Sequence, residues 1–150
     1  MWFKRDLRFT DHEPLFMAQQ ENIPLLLVYF FEPSIMTCDD ADVRHWRFVY
    51  ESLKEMQSKL KSFAAQIYYF HNQVQTVFEH LCSLYEVQTV FSHQEIGNKV
   101  TFDRDIAMQF FLMIIKFFGN NLSSMVLSES CDQNKIGISA GKKQCAQFLK

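Results

Sequence analysis

A chain of 150 residues with 48% hydrophobic content, 16 phenylalanines and a net charge of -2 is sized for one domain with a substantial core. That charge balance excludes nucleic-acid binding by bulk electrostatics, which calls for a clearly basic face. The charged opening residues do not read as a signal peptide, and the apolar run Ile23 to Phe31 is nine residues with a proline inside, too short for a membrane span. The expectation is a soluble, cytoplasmic protein. Cys38, Cys82, Cys131 and Cys145 show no C-x-x-C spacing, so reduced thiols are expected rather than disulfides or a zinc site.

The opening stretch, Trp2 to Pro14, reads as the end of a strand, a charged turn and the start of a helix. Trp2 and Phe3 are β-formers, Lys4 to Arg8 is a burst of charge, and Thr10 or Asp11 is placed to cap a helix with Glu13 and Pro14 in its first turn. That helix runs to Asn22 with Leu15 and Phe16 inward. Ile23 to Phe31, bounded by Pro24 and Pro33, suits a parallel strand buried on both faces. The longest helix follows, capped by Asp39 or Asp40. Its apolar residues Val43, Trp46, Val49, Tyr50, Leu53, Met56, Leu60 and Phe63 recur at three and four residues, and Arg47, Glu51, Lys54, Glu55, Lys59 and Lys61 form a solvated face. Gln66 to Phe70 is a third strand, Val74 to Tyr85 a helix, Val87 to Ser92 a fourth strand, and Thr101 begins another helix. This alternation predicts an α/β fold, a Rossmann-like parallel sheet with helices on both faces.

The four glycines all lie at or after Gly97. A G-x-G-x-x-G fingerprint or a Walker loop after the first strand is therefore excluded. Phe91 to Asp105, FSHQEIGNKVTFDRD, brings His93, Glu95, Gly97 and Asn98 to the sheet edge that carries Arg5 and Asp6. If strand order reverses between the first and fourth strands, these two loops flank the crevice of a doubly wound fold. An arginine, a carboxylate and an amide around an aromatic-rich cleft suit a flat heteroaromatic ligand. Arg5, Asp6 and Arg8 read equally as an ion-pair cluster tying the first loop to the sheet, and His93 as a hydrogen-bonded loop residue. Glu95 has no nucleophile or partner carboxylate beside it for hydrolytic work. His12, His45, His71 and His80 show no metal-ligand spacing with one another.

Trp2 to Asp11 resembles the opening W-F-(K/R)-R-D-L-R-x-x-D block of the DNA photolyase/cryptochrome family. Phe91 to Asp105 resembles that family's S-H-x-E-T-G-N-x-x-T-(Y/F)-x-R-D segment, with Ile96 in place of the usual threonine, and Arg44 to Leu53 resembles one of its helices. The resemblance implies an amino-terminal domain that carries a light-harvesting antenna chromophore: a folate, a deazaflavin or a lumazine. It implies further that FAD and the DNA-binding surface belong to a larger helical domain absent from this chain, so that neither FAD nor DNA is expected to bind here. Carried over by position, Arg5, Phe31, Glu95 and Asn98 are the expected chromophore-binding residues. The parent activity implied is blue-light-driven repair of DNA, or photosensing.

From about Leu112 the resemblance ends, which divides the chain into a photolyase-like 1–111 and a divergent, poorly ordered tail over 112–150. Codons exist for Leu112 to Lys143 whose shifted reading yields a strand-like YQIFW followed by a W…YGVxRxL pattern similar to the family's. The tail is thus expected to be a frameshift product on a truncated, inactive domain. The rival expectation is a free-standing nucleotide- or flavin-binding module, which requires an in-frame strand near residues 122–127 to close its sheet.

Overall fold

The computed structural model describes the backbone of residues 1–96, 98–117 and 124–128 and the side chains of residues 1–96 and 98–115. Five strands, β1 (Trp2–Phe3), β2 (Leu27–Phe30), β3 (Ile67–Phe70), β4 (Thr89–His93) and β5 (Ser124–Ser128), alternate with helices. The helices are α1 (Glu13–Gln20), α2 (Pro33–Met36), α3 (Val43–Leu60), α4 (Val74–Leu84) and α5 (Lys99–Phe117).

Among the described residues every ladder is parallel: β1 pairs β2, β2 pairs β3, and β4 pairs β5. Hydrogen bonding divides the described strands into a three-stranded sheet, β1-β2-β3, and a two-stranded one, β4-β5. β4 packs beside β1, so the spatial order runs β3-β2-β1-β4-β5, with a reversal between β1 and β4. The Lys4 ammonium just past β1 donates to the His93 carbonyl at the end of β4, 2.7 Å away. Both strands therefore finish on one edge. In a doubly wound sheet that edge, at the switch point, is where a crevice opens.

Alternation along the strands splits the core in two. Phe3, Leu27, Tyr29, Ile67 and Phe91 face α1 and α3, meeting Leu15, Ala18, Val49, Leu53, Met56 and Leu60. Trp2, Val28, Phe30 and Val90 face the opposite way, onto Val74, Val77, Phe78 and Leu81 of α4 and Met108 and Leu112 of α5. The period-2 split explains why both faces of β2 are apolar in sequence: each side chain has a helix to bury against.

Several local expectations are corrected. The cap of α1 is His12, because Asp11 sits at φ 53°, in the left-handed region, and so cannot adopt the extended backbone of a cap. The cap of α3 is Asp42, whose carboxylate accepts the Arg44 amide at 2.7 Å. Val43, Tyr50 and Phe63, expected on the buried face of α3, are exposed. Pro33 does not simply stop β2; it opens the short α2. The tail is regular in two places: α5 runs on to Phe117, and β5 forms in the frame as read, overlapping the 122–127 stretch. The rest of the tail, with Cys131 and Cys145, lies outside the described residues. Cys38 and Cys82 are free thiols. Among the described residues no helix is long and apolar enough to cross a membrane.

Candidate functional site

A cavity of about 270 Å³ opens at the carboxyl ends of β1 and β4. Tyr29 from β2, with Ile35, Ala41 and Trp46 from the α2–α3 side, forms one wall. Arg5, Glu95, Asn98 and Arg104 give the cavity a polar wall. Three of the four expected residues, Arg5, Glu95 and Asn98, thus meet at the cavity. Phe31 stands behind it, its ring 4.9 Å from Tyr29 and 6.3 Å from Trp46. Gly97 lies outside the described residues.

The polar wall is set by charges that sequence reading did not assemble. Arg104, on the first turns of α5, reaches Glu32 Oε1 at 2.6 Å, Glu95 Oε2 at 3.1 Å and Asp105 Oδ1 at 2.9 Å. Burial would lower the Arg104 pKa, but the three carboxylates outweigh it and raise it. Its guanidinium also lies over Trp2, 4.9 Å from the ring centroid, with the Lys4 ammonium at 4.2 Å. Lys4 is buried and ion-paired to Asp105 at 2.7 Å. Desolvation nevertheless pulls its pKa down to about 8, the Asp105 charge opposing. Burial pushes Glu32 up, against Arg104. Burial also pushes the Tyr29 phenol up, with Glu95 adding to the effect. Two lesser contacts finish the wall: Arg5 Nε lies 3.4 Å from Glu95 Oε1 with its side chain 57% exposed, and the Asn98 amide donates to Asp40 at 3.3 Å across the mouth.

Behind this wall sits a second cluster around Asp6. Its Oδ1 accepts the Lys4 amide at 3.0 Å, and its Oδ2 lies 2.6 Å from both His93 Nδ1 and His12 Nε2. The His12 contact is made off the N–H axis of the ring. Burial alone would raise the Asp6 pKa; the contacts with His12 and His93 overcome it and hold the carboxyl well below the usual range. Of the first loop's charges, Arg5 pairs with Glu95 and Asp6 contacts His12 and His93, whereas Arg8 donates to the Asp11 carbonyl instead.

One carboxylate and two imidazoles whose ligand atoms lie within 4.8 Å of one another form the donor set of a divalent-metal site. Capping opposes that use. Coordination through His12 Nε2 requires the proton on Nδ1, and Nδ1 accepts the Leu15 amide at 3.2 Å as the cap of α1. The cluster is built as a carboxylate clamp.

The family described as DNA photolyase matches residues 1–121. The chain is 25% identical over 112 residues to a cryptochrome DASH of Gloeobacter violaceus, covering 71% of this chain and 22% of that protein. It is 26% identical over 80 residues to cryptochrome-2 of Gallus gallus, covering 53% of this chain and 14% of the relative. Against the blue-light photoreceptor PHR2 of Arabidopsis thaliana it is 26% identical over 103 residues, covering 65% and 23%. Among solved structures, a bacterial class III photolyase from Agrobacterium tumefaciens superimposes with a TM-score of 0.67 at 17% identity, over 93% of this chain and 28% of that one. The chain thus spans about a quarter or less of the length of these curated relatives.

Proposed function

Because the chain belongs to the DNA photolyase family, matched over residues 1–121, we propose that its crevice is the seat of a light-harvesting antenna chromophore. The observation that carries this reading is the convergence of Arg5, Glu95 and Asn98 on one cavity at the β1/β4 switch point, facing Tyr29 and Trp46. The apolar wall offers aromatic surface to a flat ring, and Glu95 and Asn98 offer an acceptor and an amide to its polar edge. At about 270 Å³ the cavity suits the ring head of a folate, deazaflavin or lumazine, with any tail outside. Phe31 serves the site indirectly, by backing Trp46.

On this reading the blue-light, FAD-dependent DNA repair or photosensing of a complete family member resides in a domain beyond this chain. Neither FAD nor DNA is assigned to the present residues. The frameshift origin of 112–150 is part of the same proposal, as is a cytoplasmic location.

One observation favours a second reading, a free-standing nucleotide- or flavin-binding module. β5 closes the sheet in the frame as read, which such a module requires. Titration of the purified chain with a folate, a deazaflavin, a lumazine and FMN separates the two. Saturable binding of an antenna chromophore, weakened at least tenfold by Glu95→Gln, supports the first. Preferential binding of FMN supports the second, and no binding at all sinks both.

A further inference from the structure

We infer that His12, which does not line the cavity, is a positioning residue for it, acting through Asp6, His93 and Asp105 on Glu95. The inference rests on the chromophore reading only in what the positioning is for.

His12 is 1% exposed, its ring held edge-on against Phe3 at 5.4 Å and 4.7 Å from the ring of His93. It has two jobs on two nitrogens. Nδ1 accepts the Leu15 amide and caps α1, while Nε2 presses on Asp6 Oδ2 at 2.6 Å. From Asp6 a continuous path of short contacts leads to the cavity. His93 Nδ1 meets the same Asp6 oxygen at 2.6 Å, and the His93 carbonyl accepts the Lys4 ammonium at 2.7 Å. Lys4 binds Asp105 Oδ2 at 2.7 Å, and that oxygen accepts the Glu95 amide at 2.9 Å. Asp105 Oδ1 in turn orients Arg104, which grips the Glu95 carboxylate at 3.1 Å.

Glu95 is therefore fixed at both backbone and side chain by groups whose placement begins at Asp6. On its far side Asp6 packs against His12, whose Nε2 stands 2.6 Å from Oδ2 without a hydrogen bond. Buried networks of this kind have few alternative arrangements, so removing one end shifts the other rather than leaving it in place. No other histidine among the described residues bridges a helix cap to the loops of the crevice.

Substitution separates the two jobs. In His12→Asn the side-chain oxygen still caps α1, since Asn is among the preferred caps, but the shorter side chain ends short of Asp6. In His12→Ala both are lost. The test uses the full chain as wild type, H12N and H12A, with three readouts: the thermal midpoint, the amide resonance of Glu95, and affinity for methenyltetrahydrofolate as probe. The expected result is an H12N chain that melts within about 3 °C of wild type, with a displaced Glu95 amide and about tenfold weaker folate binding, while H12A melts lower. An unmoved Glu95 amide in H12N overturns the inference, and so does an H12N chain that melts as low as H12A, because the two jobs are then not separable. If wild type binds no folate, deazaflavin or lumazine, the chromophore reading fails on its own, and the Glu95 amide still decides the role of His12.

Discussion

Replacing Arg104 by methionine strips three carboxylates of their shared cation while keeping the bulk of the side chain. Glu32, Glu95 and Asp105 have side chains 3%, 11% and 0% exposed, so none recovers full hydration when the guanidinium goes. Lys4 remains on Asp105 and the half-exposed Arg5 on Glu95, leaving Glu32 the worst placed. Breaking a buried pair by removing one partner costs about 3 to 5 kcal/mol, and the three contacts share one cation, so they are not additive. Against a total stability of about 5 to 15 kcal/mol this is a large fraction, equivalent to a thermal midpoint about 10 to 15 °C lower in a chain of this length. The assay is a urea and thermal melt by circular dichroism at neutral pH. A second signature comes from Glu32, whose pKa is already raised by burial against the pull of Arg104. Without Arg104 it rises further, above its unfolded value. Stability held by the protonated carboxyl is then present below about pH 4.5 and lost as pH climbs through the folded value, so the deficit of R104M shrinks in acid. Adding Glu32→Gln to R104M should return about 1 to 2 kcal/mol at neutral pH. A loss below about 1 kcal/mol for R104M, or no gain from the second substitution, would refute this account of the polar wall.

Asp6→Asn removes a carboxylate whose folded pKa lies below its ordinary 3.8, so the stability it supplies is present above that value and lost as pH falls below it. Wild type should therefore exceed D6N in stability at neutral pH, with the gap narrowing as pH falls below the ordinary carboxylate value; a pH-independent gap contradicts the assignment. Ala64 holds a left-handed φ of 52° at the end of the short turn after α3. Ala64→Gly should stabilise the chain by about 0.5 to 1 kcal/mol in the same melts, and a destabilisation would mean that no strain resides there. Sequencing the gene from the codon for Phe110 onward tests the origin of the tail: a shifted frame that continues into a long homologous sequence supports frameshifting, and its absence removes that proposal.

Much of the fold was legible because period-2 and period-3.6 patterns report burial directly. β2 and the buried face of α3, Val49, Leu53, Met56 and Leu60, follow from spacing alone. Boundaries were not, for reasons visible at single residues. Asp11 is a good cap by type, yet its backbone is left-handed, so the role passes to His12. Val43 and Tyr50 match the helical period but are exposed, since a one-dimensional pattern does not say how wide the covered face is. The site divides in the same way. Arg5, Glu95 and Asn98 lie in two loops that parallel topology brings to one edge, and they line one cavity there, whereas Phe31 does not. Arg104, Asp105, Lys4 and Glu32 look like ordinary surface charges in sequence, and only the docking of α5 against β1 turns them into a buried network. The Asp-Arg-Asp run at Asp103 to Asp105 was their one visible signal. β5 was foreseen only as a requirement of the rival reading, because LSSMVL is too short and too polar at its start to announce a strand alone.

The most direct test of the chromophore crevice is to map amide shifts of the labelled full chain during titration with methenyltetrahydrofolate, a deazaflavin and a lumazine. The account predicts that one of them saturates and moves Arg5, Trp46, Glu95 and Asn98 together, leaving the outer face of α4 unchanged. Binding that shifts residues elsewhere while these four stay still, or no saturable shift with any of the three, would contradict it.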